Sequence, residues 1–232
     1  DENGKWQLPP ENDLPLATIV EVLANQIYKV TGASELLESL DWFKRRNLKK
    51  SFQQAPVDRK AYFCSGCPHN SSTMIPEGSS ALAGIGCHYM AVNMDRNTDL
   101  YTQMGGEGTP WIGQSKYIEG EHIFANLGDG TYKHSGSLAI RACVDAKVNI
   151  TFKILYNDAV AMTGGQVLGD NWSTVQIAKQ VLSEGVNKVV ILTENLKAYK
   201  NSILPKEVEL KHRDHLQNIQ KKLQLMTGVT VL

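Results

Sequence analysis

The amino-acid sequence predicts an α/β fold with a mostly parallel sheet and helices on both of its faces. Short apolar runs with strand character alternate along the chain with segments whose apolar residues recur every three or four positions, as in an amphipathic helix. Strands that alternate with helices need crossover connections, and such connections make the strands parallel and cover both faces of the sheet. The 232 residues are enough to bury one core of this kind.

Four apolar runs provide the central strands, and a further pair near the end of the chain extends the pattern. The predicted strands are residues 81–85, 122–127, 150–156, 188–193, 208–210 and 229–232. The predicted helices are residues 137–144, residues 174–182 and the amphipathic segment with Leu216, Ile219 and Leu223. Because the sequence stops inside the last of these strands, we expect a fragment of a longer polypeptide.

The first 59 residues form a separate part, predicted to be a helical connector. Apolar residues from Leu16 to Val30 have helical spacing, and Gly32 follows as a stop signal, so a helix with one buried face is expected. A shorter helical pattern, residues 36–46, ends in a basic run, and a polar linker ends near Lys60. We therefore expect a connector over residues 1–59 and a C-terminally truncated α/β domain over residues 60–232.

Charge and hydropathy narrow the classes of function. Twenty-four Lys and Arg residues balance twenty-four Asp and Glu residues, so the chain lacks the excess positive charge that concentrates nucleic acid or anionic lipid. No stretch reaches the roughly 20 apolar residues of a membrane span, and the first residues do not resemble a signal peptide. The sequence thus predicts a cytoplasmic protein with neither a nucleic-acid nor a membrane partner.

Polar residues follow three of the predicted strands at the point where each strand ends. These follow-on sequences are Gly86-Cys87-His88, Gly128-Asp129-Gly130-Thr131 and Asn157-Asp158-Ala159. Ligands of parallel sheets bind just outside the carboxyl ends of the strands. There, the oxygens of Asp129 and Asn157 suit an octahedral Mg²⁺, and the glycines let backbone amides approach a diphosphate. An Asx turn explains either motif alone; the two together, one crossover apart, favour a site for a metal and a diphosphate.

Three of the four cysteines lie close together in the sequence. Cys64, Cys67 and Cys87 supply three thiolates, whereas a 4Fe–4S cluster takes four. Zinc held by the same cysteines and either His69 or His88 is an alternative, and so is a redox-active CxxC disulfide. Spacing alone does not decide between zinc and iron–sulfur. The fourth cysteine, Cys143, lies in an apolar helical stripe that includes Leu138 and Ile140, which predicts a buried small side chain.

Five blocks of sequence, in this order, carry a family resemblance. They are YFCSGCPHNSS, ALAGIGCHYMA, TQMGGEG, NLGDGTYKHSG and ILYNDAVAMTGGQ. Together they resemble the thiamine-diphosphate-binding domain of 2-oxoacid:ferredoxin oxidoreductases, most closely that of the large single-chain indolepyruvate ferredoxin oxidoreductases. The resemblance extends from about Lys60 to the end, whereas the first sixty residues resemble only the connector that precedes this domain.

The resemblance implies roles for particular residues. The side chains of Asp129 and Asn157 and the main-chain oxygen of Ala159 would hold Mg²⁺. The diphosphate pocket would be lined by Gly86, Cys87, His88, Gly128, Gly130 and Thr131. Ala161 and Met162 would flank the cofactor where relatives often have Ser-Asn, and Glu107 lies in a loop that approaches the cofactor in related subfamilies. The cluster nearest the cofactor would take Cys64, Cys67 and Cys87, with its fourth ligand expected beyond Leu232.

The implied activity is oxidative decarboxylation of an aryl 2-oxoacid, indolepyruvate, to an acyl-CoA, with ferredoxin reduced through iron–sulfur clusters. The implied partners are coenzyme A, ferredoxin and the remaining domains of the same polypeptide, which as a whole is expected to be a homo-oligomer. The glutamate that activates the cofactor belongs to the pyrimidine-binding domain, so the fragment alone is expected to be inactive. The alternatives are a non-redox thiamine-diphosphate decarboxylase or synthase and a zinc-stabilised interaction module.

Overall fold

The structure is a computed structural model that describes residues 4, 6–9, 13–48, 60–167, 169 and 173–232. Residue contacts divide the chain into two compact units, Asp1–Arg59 and Lys60–Leu232. Residues 51–59, which include most of the predicted linker, lie outside the described residues. No helix in the described part of the chain is both long and apolar enough to cross a membrane.

The first unit contains two helices, α1 (Leu16–Thr31) and α2 (Glu35–Leu48). As predicted, α1 ends at Gly32, which adopts φ 70° and donates its amide to the carbonyl of Tyr28. An ion pair of 2.5 Å between Lys44 and Glu21 joins the two helices. Both side chains are partly exposed to solvent, so this ion pair contributes less than about 1 kcal/mol to stability.

The prediction that α1 has a buried face is wrong. No residue of this helix is buried, and the exposed fractions of Leu16 and Val30 are 70% and 86%. The periodicity is real, but among the residues of this unit that the structure describes, α2 is the one helix against which α1 packs. One neighbouring helix covers only a narrow stripe of the apolar surface.

The second unit contains a seven-stranded parallel sheet. Its strands are β1 (Ala81–Ala83), β2 (Thr98–Tyr101), β3 (Ile123–Gly128), β4 (Ile150–Leu155), β7 (Lys188–Thr193), β8 (Val208–His212) and β9 (Val229–Val231), in the order β2-β1-β3-β4-β9-β7-β8. The short strands β5 (Ala159–Val160) and β6 (Gln166–Val167) form a separate antiparallel pair. The helices are α3 (Pro68–Ser72), α4 (Pro110–Gln114), α5 (Asp129–Thr131), α6 (Ser137–Asp145), α7 (Thr174–Ser183) and α8 (Leu216–Leu223).

Helices cover both faces of the sheet, as the sequence predicts. On β7, Val189 belongs to a large apolar cluster that includes Ile140 of α6 and Val181 of α7. The next residue, Val190, points to the opposite face and belongs to a second cluster with residues of α8, among them Ile219. Because side chains alternate along a strand, these two clusters lie on opposite faces.

Three details of the second unit differ from the prediction. The edge strand β2 was not predicted, because its sequence TDLY has little apolar character and three of its four residues are exposed. The segment Gly128-Asp129-Gly130-Thr131 is more than a loop, since a helix begins at Asp129 and continues through a π turn, Tyr132–Gly136, into α6. Leu138, which the sequence placed in one apolar stripe with Ile140, is 56% exposed, because residues two apart lie about 200° apart around a helix.

Candidate functional site

The predicted site residues meet at one edge of the sheet. Strands β1, β3 and β4 are direct neighbours, and each leads into one of the three polar motifs. The adjacency inferred from the alternating pattern is therefore present. All three motifs lie at the carboxyl ends of their strands, which is where ligands of parallel sheets bind.

Asp129 connects two of these motifs. Its Oδ2 accepts hydrogen bonds from the backbone amides of Asn157 and Asp158, at 2.8 and 2.7 Å, and its Oδ1 accepts one from the amide of Gly130 at 2.9 Å. The side chain is buried, and this burial raises the pKa of its carboxyl group despite those amide bonds. Amides carry no net charge, so they satisfy the oxygens without neutralising the carboxylate. A bound cation would do so.

Asn157 and Ala159 lie in the turn that Asp129 holds. The Oδ1 atom of Asn157 accepts a hydrogen bond from the amide of Ala159 at 3.1 Å, which forms the Asx turn that was the alternative explanation of this motif. Asp158 between them adopts φ 58°, in the left-handed region. The Asx turn is compatible with a metal role, because an amide oxygen has a second lone pair.

Two glycines near Asp129, Gly86 and Gly128, leave room for the side chain of His88. A Cβ atom at Gly86 would lie 2.7 Å from Cε1 of His88, and one at Gly128 would lie 3.6 Å from the same atom. The His88 ring is therefore packed between the two glycines. Burial, followed by the charge of His69, lowers the pKa of His88 to about 4, so this ring is neutral at neutral pH.

The helix that begins at Asp129 adds amide groups to this edge. The first amides of a helix have no partner within it, and the helix dipole places partial positive charge there. Thr131, in the same first turn, donates a hydrogen bond from Oγ1 to the carbonyl of Ile85 at 3.1 Å, which connects the helix to the end of β1. The buried carboxylate, the two glycines and the positive end of the helix dipole together fit a diphosphate with its metal ion.

Glu107 lies beneath this edge, packed against Gly84 at the end of β1. Its side chain is buried, and Oε2 accepts a hydrogen bond from the amide of Gly105 at 2.8 Å. Burial raises the pKa of its carboxyl group, while interactions with the amides of Glu107 itself, Gly105 and Ile85 oppose the shift. The contacts described for Glu107 are thus with the protein backbone beneath this edge.

Ala161 and Met162 lie in an exposed turn, Ala161–Thr163, that leads out of β5. Through Ala159, this turn is continuous with the loop held by Asp129. The structure therefore places both residues beside the motif-bearing loop, with side chains open to solvent.

The three clustered cysteines also come near one another. Cys64 and Cys67 flank a tight turn in which the amide of Cys67 donates to the carbonyl of Cys64 at 3.0 Å. The pKa of Cys87 is raised first by burial and then by the negative charges of Cys67 and Cys64. Even so, within the described ranges no three His, Cys, Asp or Glu side chains are grouped so that they could hold a metal ion. The three thiols are of the kind that bind iron or zinc. The structure, however, does not group them into a metal site.

A cavity beside this edge was not predicted, and it is lined by His69, which the sequence offered only as a possible zinc ligand. The cavity has a volume of about 440 Å³ and opens at the carboxyl ends of β4, β9 and β7. Neither ring nitrogen of His69 has a hydrogen-bond partner in the described structure. Burial and the charge of Arg213 lower the pKa of His69, while Asp129 raises it.

The fourth cysteine, Cys143, is buried in the core as predicted.

Comparison with known proteins gives the following similarities. No protein-family model matches the chain. The indolepyruvate oxidoreductase subunit IorA of Archaeoglobus fulgidus is 29% identical over 119 residues, which are 47% of this chain and 18% of that protein. The chain thus spans less than a fifth of this relative.

Solved structures have the same fold. A 2-oxoglutarate:ferredoxin oxidoreductase from Magnetococcus marinus, with 2-oxoglutarate, coenzyme A and succinyl-CoA bound, superimposes with a TM-score of 0.54 at 17% identity, covering 75% of this chain and 64% of that one. Benzoylformate decarboxylase from Polynucleobacter necessarius has a TM-score of 0.50 at 14% identity, covering 76% and 34%.

Proposed function

We propose, from the resemblance of this chain to the thiamine-diphosphate-binding domain of 2-oxoacid:ferredoxin oxidoreductases, that the carboxyl ends of β1, β3 and β4 hold thiamine diphosphate and Mg²⁺. The observation that carries the proposal is the pair of hydrogen bonds between the buried Asp129 carboxylate and the amides of Asn157 and Asp158. They bring the two oxygen-bearing motifs, which follow β3 and β4, into direct contact.

Each group at this edge has a role in binding. Asp129 and Asn157 would hold Mg²⁺ through side-chain oxygens, and Ala159 through its carbonyl oxygen. The amides of Gly130 and Thr131 would face the diphosphate. Neutral His88, with Gly86 and Gly128, would form a wall that fits the cofactor closely and excludes water.

The proposed activity is oxidative decarboxylation of an aryl 2-oxoacid, with indolepyruvate as the substrate, to an acyl-CoA. Thiamine diphosphate, when bound, supplies the electron sink that makes loss of CO₂ possible. The thiols of Cys64, Cys67 and Cys87 would supply three ligands of a 4Fe–4S cluster through which ferredoxin is reduced. This chain would provide binding and orientation, and the remaining domains would complete the active site, so the 232 residues alone should bind the cofactor without turnover.

Calorimetry tests the binding site. Thiamine diphosphate is titrated into the full 232-residue chain with Mg²⁺ and, separately, with EDTA. We expect binding only with Mg²⁺, and a loss of affinity of at least about tenfold, ~1.4 kcal/mol, for Asp129→Asn. The matched control is Asp145→Asn, an exposed position at the other end of the same helix. Equal affinity for wild type and Asp129→Asn, or no need for metal, would reject the site.

Anaerobic reconstitution with iron and sulfide then tests the oxidoreductase proposal. Broad visible absorption that is lost on substitution of Cys64, Cys67 or Cys87 would support an iron–sulfur centre. A colourless protein with Mg²⁺-dependent cofactor binding would instead identify a non-redox thiamine-diphosphate enzyme. Zinc uptake without any cofactor binding would identify an interaction module.

A further inference from the structure

The cavity at the carboxyl ends of β4, β9 and β7 adjoins the proposed cofactor site. Its volume of about 440 Å³ is in the range of pockets that hold small molecules. Tyr156, which lines the cavity, directly precedes Asn157. His69 also lines it and lies close enough to Asp129 for each side chain to shift the pKa of the other. A molecule in the cavity would therefore lie beside the proposed metal and diphosphate.

Much of the cavity wall is apolar. The apolar part consists of Ile177 and Ala178 of α7, Val189 and Ile191 of β7, and Val231 of β9. All five are buried and belong to the large apolar cluster on this face of the sheet. Such a wall favours a ligand with an apolar body, because binding removes apolar surface of both partners from water.

Most charged and hydroxyl groups that line the cavity already have partners. Arg213 forms an ion pair of 2.6 Å with Glu194. Lys153 donates to a backbone carbonyl at 2.9 Å, and the hydroxyls of Thr174 and Tyr199 are 2.8 Å apart. A charged group placed deep in this cavity would lose its hydration without gaining a free counter-charge.

His69 differs from these groups. Among the described side chains that line the cavity, it is the one with buried polar atoms that no hydrogen bond satisfies, and this holds for both ring nitrogens. An imidazole carries at least one N–H in either charge state. A buried donor of this kind is stabilised by an oxygen atom of a ligand, most strongly by a charged oxygen.

We propose that this cavity binds the apolar side chain of a 2-oxoacid substrate and that His69 donates a hydrogen bond to the carboxylate of that substrate. The inference rests on the proposed function, because the 2-oxoacid reacts at the neighbouring cofactor. The cavity then distinguishes substrates by their side chains. An aryl group covers the apolar wall, whereas a methyl group leaves most of the volume unfilled. A second carboxylate meets only groups that are already paired.

Ligand-observed NMR titration of the full 232-residue chain tests this pocket. Indole-3-acetate is a probe with both an aryl ring and a carboxylate, and 3-methylindole has the ring alone. The comparison ligand is 2-oxoglutarate, which has two carboxylates and no apolar group of this size. We expect indole-3-acetate to bind at least about tenfold more tightly than 2-oxoglutarate, because the second carboxylate stays unpaired.

Two variants separate the two parts of the pocket. His69→Leu should weaken binding of indole-3-acetate about 10–100-fold, as for a lost hydrogen bond to a charged group, and should leave 3-methylindole nearly unchanged. Ala178→Leu places extra atoms at the apolar wall and should weaken both probes. The controls are His215→Leu, at an exposed position before α8, and Ala142→Leu on α6, since neither residue lines the cavity. If Ala178→Leu does not fold, His69→Leu with the two probes decides the question.

Several results would overturn the pocket. These are no binding of indole-3-acetate, equal affinity for 2-oxoglutarate, or wild-type affinity for indole-3-acetate in His69→Leu. Calorimetry with thiamine diphosphate tests the proposed function separately. Mg²⁺-dependent cofactor binding without binding of indole-3-acetate would overturn the substrate pocket alone. Binding of both aryl probes without cofactor binding would reject the cofactor site and, with it, the substrate role of the cavity.

Discussion

Gly84 and Glu107 are in direct contact: a Cβ atom added to Gly84 would lie 2.2 Å from Cγ of Glu107 and 2.6 Å from its Oε1. Gly84 is buried at the end of β1, so the glutamate packs where any other residue would place its own side chain. The contact connects the loop containing Gly105 with the strand that leads into the proposed diphosphate cradle. Packing against Glu107 is sufficient to explain why residue 84 is a glycine.

We expect Gly84→Ala to destabilise the chain by about 1–3 kcal/mol, the usual cost of an extra methyl group in a well-packed site. The free energy of unfolding, measured by urea denaturation, checks this. Adding Glu107→Ala should recover part of the loss, because it removes the atoms that the methyl group meets. Gly113→Ala is the control, since a Cβ atom there meets nothing within 4 Å. Additive effects of the two substitutions would contradict the contact.

Glu107→Gln should change how stability depends on pH. Burial raises the pKa of Glu107 in the folded state, so the unfolded state loses this proton at a lower pH than the folded state. The wild type therefore loses stability as the pH rises from the unfolded pKa through the raised one. The glutamine variant lacks this titration, so the free energy of unfolding of the variant relative to wild type should increase over that interval. Parallel pH profiles of wild type and variant would disprove the assignment.

The sequence predicted the sheet well because its signals are local. Apolar runs such as residues 188–193 coincide with a strand end to end, and the order of strands and helices along the chain specified parallel neighbours. The adjacency of Asp129 and Asn157 followed from the same logic. Such inferences need only the periodicity of side chains and the rules of crossover connections.

The parts that were missed depend on contacts between distant residues. Arg96 donates a hydrogen bond to Asn70 of α3, and Arg213 donates one to Pro68 of α3. The bonded residues are 26 and 145 positions apart in the sequence, so no local pattern predicts these contacts. The helix at Asp129–Thr131 was not predicted, because its central residue is glycine, which has a low helix propensity. The contact of Glu107 with Gly84 likewise becomes visible only when β1 and the glycine-rich loop are placed together.

His88 should make the fold sensitive to acid. Its pKa is lowered to about 4 by burial, so below the unfolded value of 6.5 the unfolded state takes up a proton that the folded state does not. The stability that His88 contributes is present above pH 6.5 and is lost between pH 6.5 and about 4, by about 3 kcal/mol in total. Replacing it by Gln should reduce the slope of unfolding free energy against pH in this window. His134→Gln, at an exposed position, should leave the slope unchanged.

Lys153 should have a dependence of the same sign at alkaline pH. This lysine is only 1% exposed, and its Nζ donates to the carbonyl of Met74 at 2.9 Å and lies 5.7 Å from the centre of the Phe124 ring. Burial, followed by the charge of Arg96, lowers its pKa to about 7 in the folded state, against 10.5 for an ordinary lysine. The contribution of Lys153 to stability is therefore full above pH 10.5 and is lost as the pH falls from 10.5 to about 7, because the unfolded state is protonated first.

The wild type should accordingly gain stability between pH 7 and 9.5 relative to Lys153→Met, a variant of similar length with nothing to titrate. Methionine also leaves the Met74 carbonyl without this donor, which lowers stability by a similar amount at every pH, so the comparison is made between slopes. Urea denaturation at a series of pH values measures them. Lys179→Met, at an exposed position of α7, is the matched control and should run parallel to wild type. If the profile of Lys153→Met is also parallel to wild type, the lysine has an ordinary pKa and is not buried as a titrating group.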